Sequence, residues 1–207
     1  MKRLSQSLLP ALLLTTTASA FAASSVDLSV TGLITPSACT PALVGGGTID
    51  YGKISAKDLT ADNYTQLGIR TLPFTITCEA KTLIGFQGTD NRAGSDPDGN
   101  GRMYGLGIVN ETEKLGDYGL EWKNLTADGE SMRSIKSDNN GSTWQLSPYM
   151  RPNVLLSVAD SATVAPVALQ NLSGDIELDA YIAPAKDLTL DKELTMDGSA
   201  TLTVRYL

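Results

Sequence analysis

Two cysteines, Cys39 and Cys78, are the only thiols of the 207-residue chain, and it contains no histidine. A histidine-based catalytic triad is therefore excluded. A metal site on the two thiols would lack further ligands of the usual kind. In an oxidising compartment an even pair of cysteines reads as a disulfide. Closing a loop of about 38 residues would stabilise the fold by roughly 3–4 kcal/mol in the chain-entropy model. Paired thiols make poor nucleophiles. A second run with chemical content is Asp96-Pro97-Asp98-Gly99-Asn100-Gly101. Asp96, Asp98 and Asn100 match the opening of a calcium loop, with oxygen donors at alternate positions and a glycine for the sharp turn. The twelfth position would be Gly107, where such a loop needs a bidentate glutamate, so the competing reading is a tight turn. No phosphate-cradling loop and no recognisable pair of acid/base carboxylates occurs. Glu111 and Glu113 lie in an acidic, turn-rich stretch and are expected to face solvent. These residues point to a protein that binds, needs no cofactor other than a candidate calcium ion, and is not an enzyme.

The compartment is legible at the start of the chain. Lys2 and Arg3 precede a short apolar core from Leu8 to Leu14, and Ala20-Phe21-Ala22 supplies a small-x-small cleavage site. Residues 1–22 are read as a secretory signal. The apolar core is far shorter than the ~20 residues that span a bilayer, so no membrane insertion is expected. The remaining 23–207, roughly 185 residues, suit a single domain with a sizeable core. The net charge of the whole chain is −7, and loss of Lys2 and Arg3 makes it more negative by two. So acidic a surface argues against nucleic acid and against docking on anionic lipid.

The elements that must position these residues are strands. Val26, Leu28, Val30, Gly32 and Ile34 alternate with polar or differently facing neighbours, as do Ile176, Leu178, Ala180 and Ile182, and again Ala200, Leu202, Val204 and Tyr206. Such a period of two marks half-buried strands. Between 66 and 78 the parity switches, from Leu67 and Ile69 to Leu72, Phe74, Ile76 and Cys78, which predicts a bulge near Arg70 and Thr71. Pro73 there indicates a strand that is not central along its whole length. Further strands are expected at 83–87, 103–109, 143–146, 154–158 and 164–170. Residues 56–64 are expected to form a turn or two of helix capped by Ser55. The stretch 88–141 is richest in turn residues and is expected to decorate one end of the fold. Trp122, Trp144, Tyr118 and Tyr149 fall in or beside it and are read as core plugs in preference to binding aromatics. Five Asn-x-Ser/Thr triplets, at Asn63, Asn110, Asn124, Asn140 and Asn171, are read as products of an Asn- and Thr-rich composition. Many short strands separated by such breaks imply an all-β sandwich.

The order of these residues resembles the pilin subunits of chaperone–usher fimbriae. Gly32-Leu33-Ile34 runs into Cys39, a Gly-rich turn and Tyr51-Gly52 follow, a strand ends in Cys78, and the chain closes on an alternating strand with Tyr206 next to last. Similarity is closer to GltF-like periplasmic proteins, a fimbria-related group. It is carried by Thr35-Pro36-Ser37-Ala38-Cys39-Thr40-Pro41, Gly45-Gly46-Gly47, Asp50-Tyr51-Gly52-Lys53, Gln66-Leu67-Gly68, Thr75-Ile76-Thr77-Cys78 and the ending Leu194 to Leu207. The resemblance implies an immunoglobulin-like sandwich that lacks its last strand. A periplasmic chaperone, and later a neighbouring fimbrial subunit, would fill the gap. It further implies that Ala200, Leu202, Val204 and Tyr206 form the complemented edge and that Val26, Leu28 and Val30 are donor residues. Where pilins carry a glycine ahead of the last strand, Leu194 stands, with Gly198 nearby.

The expectation is thus an exported, fimbria-like interaction subunit, periplasmic or at the cell surface, engaged through strand complementation. The alternative is a self-complete periplasmic binding module that uses residues 88–141.

Overall fold

The structure, a computed structural model, describes residues 38–207 together with Ser29 and Thr31. The expected signal sequence and the expected donor residues Val26, Leu28 and Val30 lie outside the described residues. Thr35–Leu207 forms one compact unit; of the preceding unit, Met1–Ile34, only Ser29 and Thr31 are described, both exposed.

The chain is all-β. Its strands are β1 (Cys39–Leu43), β2 (Thr65–Thr82), β3 (Ile84–Asp90), β4 (Tyr104–Gly105), β5 (Ile108–Val109), β6 (Glu113–Lys114) and β7 (Gly116–Ala127). There follow β8 (Glu130–Ser131), β9 (Arg133–Ser137), β10 (Gln145–Leu146), β11 (Tyr149–Met150), β12 (Leu155–Ala159), β13 (Leu169–Ile182) and β14 (Ala200–Tyr206). One sheet runs β1-β2-β13-β7-β11, with β4 and β8 also paired to β7; a second runs β10-β9-β12-β3-β14. β5 and β6 make a separate hairpin. All of these ladders are antiparallel.

The core lies between the two main sheets, because each presents one apolar face. Phe74 and Trp122 from the first sheet stack at 5.2 Å between ring centroids, and Phe86 from the second packs 5.6 Å from Trp122. All three are at most 2% exposed. Burying each such side chain contributes about 1.5–3 kcal/mol of hydrophobic stabilisation. Cys39 and Cys78 face each other across the β1–β2 ladder and are joined by the expected disulfide.

Several expectations are corrected by the register. The bulge of β2 lies at Leu67 and Gly68, not at Arg70 and Thr71. Asp179 pairs with Ile69 and Tyr181 with Gln66, leaving two residues of β2 opposite Ala180 alone. Gly68 takes φ +84°, the conformation a bulge needs and a side chain disfavours. Pro73 sits one residue beyond the end of the β1 ladder at Phe74, where a missing N–H costs nothing. The expected strand 103–109 is interrupted between β4 and β5, and 164–170 is strand only at Leu169–Gln170. Residues 56–64 contain a single 3-10 turn, Ala56–Asp58, for which the Ser55 side chain makes no cap.

The stretch 88–141 is not mere decoration. It supplies β7, an interior strand of the first sheet, and β9 of the second. Trp122 and Tyr118 are buried in the core, whereas Trp144 is half-buried and Tyr149 exposed. Asn110, Asn124 and Asn140 take positive φ, so three of the five triplet asparagines serve turns or a bulge.

Candidate strand-binding groove

The two main sheets leave an opening between their edge strands, β1 and β14. At one end the edges are tied: the Cys39 N–H donates to the Tyr206 hydroxyl at 2.9 Å. At the far end the segment that follows β1 and the segment that leads to β14 are tied by backbone bonds, from Ala185 N–H to the Thr60 carbonyl at 3.0 Å and from Lys186 N–H to the Ala61 carbonyl at 3.2 Å. Between these ties the walls separate.

Next to β14 lies a cavity of about 260 Å³ walled by Leu43, Ile49 and Tyr51 on one side and by Met196, Ala200 and Leu202 on the other. Its floor is Leu72, Leu120, Ile176 and Leu178 of the first sheet. Beyond it lies a second cavity of about 440 Å³, walled by Ile54 and Leu59 against Leu190 and Leu194, with Leu115 and Ile182 beneath. Met196 lines both, so the two form one apolar trough. Lys53 and Glu193 meet across its rim at 3.0 Å, each at least 90% exposed. So exposed an ion pair is a weak latch.

The floor follows from the pattern of the strands: alternate residues of β2, β7 and β13 face inward, with Ile176 and Leu120 buried and Leu72 and Leu178 half-buried beneath the walls. The Tyr51 hydroxyl donates to the Gly68 carbonyl at 2.9 Å, so the bulge anchors the wall to the floor. The Arg70 guanidinium lies 4.9 Å from the centre of the Tyr51 ring. Burial pushes the Tyr51 phenol up, and the Arg70 charge opposes it. The ring is thus held as a neutral, amphipathic wall.

The backbone of β14 completes the site. Leu207 N–H donates to the Leu83 carbonyl, and the Ser199 carbonyl accepts from Asn91 N–H. Odd-numbered residues therefore turn their amides toward β3, and by the alternation of an antiparallel ladder Ala200, Leu202, Val204 and Tyr206 turn theirs away. Among the described residues β14 pairs with β3 alone. The four residues expected at the edge are thus together on it, with Ala200, Leu202 and Val204 packed on the core beneath.

The other candidates fall elsewhere. Asp96, Asp98 and Asn100 occupy one turn but do not act as a loop of alternating ligands: Asn100 Oδ1 accepts from Arg102 N–H at 2.9 Å, and Asp98 Oδ1 from the Tyr64 hydroxyl at 3.1 Å. Among the described residues no three acidic, histidine or cysteine side chains converge on one point fit for a metal. Glu111 faces solvent as expected, but Glu113 does not simply do so. It accepts from Asn110 Nδ2, Thr189 N–H and Thr189 Oγ1, which fastens the β5–β6 hairpin to the groove wall. Those bonds hold its carboxyl below the usual range. Sequence reasoning missed Tyr51, Met196 and Leu190 as wall residues; Tyr51 alone left a signal, in the Asp50-Tyr51-Gly52 turn. Among the described residues no helix is long and apolar enough to cross a membrane.

Comparison with known proteins gives relatives that share nearly the whole chain. Protein GltF of Escherichia coli (strain K12) is 29% identical over a 233-residue alignment covering 91% of this chain and 92% of that protein. Uncharacterized protein YhcF of the same strain is 28% identical over 224 residues, covering 91% of this chain and 93% of that protein. Residues 28–102, which contain β1, β2, β3 and one wall of the trough, match the model of a family described as protein of unknown function, DUF1120.

Proposed function

We propose that this protein is a non-enzymatic, exported interaction subunit of the fimbrial type, which takes a foreign β-strand along β14 and the adjoining trough. The observation that carries this reading is the coincidence of two needs on one edge. The outward amides and carbonyls of Ala200, Leu202, Val204 and Tyr206 have no strand partner among the described residues, and an apolar trough runs beside them. An added strand satisfies the first with hydrogen bonds and the second with alternate apolar side chains. The disulfide suits an oxidising compartment, which supports export to the periplasm or the cell surface. Partners of this kind are a periplasmic chaperone or another subunit, and Val26, Leu28 and Val30 have the alternation a donor strand requires.

The test is assembly of the exported chain with and without residues 23–30. The intact chain should form ladders on unheated gels, alone or with a co-expressed chaperone, and the shortened chain should not. Equal assembly of the two would remove the donor role.

A further inference from the structure

Residues 91–103, which join β3 to β4, cover a buried acid on the outer face of the first sheet. Tyr118, Leu120 and Trp122 of β7 face the core, so Asp117 points to the other face. It is nonetheless only 5% exposed. Gly105, its partner on β4, lets the loop come close: a Cβ there would collide with Ser95 Oγ and lie 3.1 Å from the Asp96 nitrogen. Asp96 is also 5% exposed, and its Oδ2 is buried with no hydrogen-bond partner.

The charges that the loop brings to Asp117 are those of Asp98 and Asp96, both negative. Tyr181 of β13 and Tyr64, just ahead of β2, lie within its field as neutral phenols. The Lys114 ammonium of β6 is turned to the Asp96 main-chain carbonyl, at 2.9 Å. Burial, then the two loop carboxylates, push the Asp117 carboxyl up to about 6. Among the described residues no three acids converge on a point fit for a metal. A proton removes the buried charge without any such convergence.

The same loop holds one wall of the trough. Arg92 Nε donates to the Asp197 main-chain carbonyl at 2.9 Å, and Arg92 Nη2 to Asp197 Oδ2 at 2.7 Å. Asn91 N–H donates to the Ser199 carbonyl and Asp197 N–H to the Leu106 carbonyl, each at 3.0 Å. Asp197 stands between Met196 and Gly198, both of which line the trough. A loop that opens therefore releases the wall.

We propose that Asp117 is a proton-operated brace: protonated, it lets the loop close over β7 and hold the wall at Asp197; ionised, it repels Asp96 and Asp98 and loosens both. The brace needs only the loop and the wall, whatever the trough binds. Closed, the Asp117 carboxyl titrates at about 6; in an open loop it returns to the ordinary value of about 4. Its closed-state value is the raised one, so the gain from protonation is complete below about pH 4 and is lost as pH rises through about 6. From about pH 7.5 to about pH 5, the equilibrium constant for opening should fall about tenfold.

Amide exchange of the full chain, corrected at each pH for the intrinsic rate, is the test. Protection at Ser95 and Asn91 in the loop and at Asp197 in the wall should rise about tenfold between those two pH values. Asp117→Asn should be as well protected at about pH 7.5 as the parent chain is at about pH 5, with no further gain on acidification. Asp98→Asn, at an exposed position that does not threaten folding, should narrow the parental change because one of the repelling charges is gone. Protection in the parent chain that ignores pH would overturn the brace, as would a tenfold change that persists in both variants. A tenfold change confined to Ser95 and Asn91, with Asp197 unmoved, would overturn its hold on the wall.

Discussion

Removal of the disulfide by Cys39→Ala with Cys78→Ala tests whether β1 is held as a wall of the trough by covalent constraint. The two residues are separated by 39 positions. The chain-entropy model then puts the lost stabilisation at about 4 kcal/mol at 25 °C. That is a third or more of the net stability of many domains, which is about 5–15 kcal/mol. Little else would compensate. β1 is five residues long and pairs with β2 alone, and its other tie is the bond from Cys39 N–H to Tyr206. With a urea dependence of about 2 kcal/mol per molar, the unfolding midpoint should fall by about 2 M. The fluorescence of Trp122, buried in the core, reports the transition under non-reducing conditions. Before global unfolding, the amides of β1 should also exchange faster than those of β2 and β13. A loss below about 1 kcal/mol, with β1 still protected, would refute the idea that this bridge fastens the wall.

Three further outcomes follow from particular contacts. Gly116→Ala drives a Cβ into the carbonyl oxygen of Tyr181 on the paired strand, and neither backbone can move without breaking the β7–β13 ladder, so soluble folded protein should be lost on expression. Tyr206→Phe deletes the acceptor of Cys39 N–H and should cost about 0.5–1.5 kcal/mol in chemical denaturation, with faster exchange at Cys39. Asp128 accepts from Asn171 N–H and Gln170 N–H, and these bonds, with Lys81 nearby, hold its carboxyl below the usual range. Its folded-state pKa is depressed, so its contribution is present above the unfolded value and disappears as pH falls through the folded one. The stability difference between the parent chain and Asp128→Asn should therefore shrink as pH falls below about 4, the unfolded value. A difference that is constant with pH would contradict that origin.

Much of the frame was legible because it depends on local pattern. The alternation at Ala200–Tyr206 and at Ile176–Ile182 survives in β14 and β13, since Ala200, Leu202 and Val204 of the one and Ile176, Leu178, Ala180 and Ile182 of the other pack on the core. The cysteine pair needed only an even count and the expectation of an oxidising compartment. β7 was obscured by its own irregularity: Tyr118, Leu120 and Trp122 alternate, but Asn124 sits at φ +51° in a bulge, which moves the next inward residue to Leu125. Gly116, Asp117 and Gly119 looked like turn residues. Their roles are set by distant partners, a carbonyl of β13 and the loop folded over Gly105. The bulge of β2 had a local marker in Gly68, but apolar parity alone located it two or three residues too late. The trough walls from Ile49 to Leu59 and from Leu188 to Met196 are irregular chain, so no periodicity announces them; their apolar residues matter only because the sheets stand open between them.

Amide hydrogen exchange along β14 tests the strand-accepting edge most directly. In the chain alone, Thr201, Thr203 and Arg205 should be protected by β3 while Ala200, Leu202, Val204 and Tyr206 exchange quickly. Excess peptide of residues 24–34 should slow the even-numbered set on the order of a hundredfold and leave the odd-numbered set unchanged. Even-numbered amides that are already slow in the chain alone, or that ignore the peptide, would contradict the account.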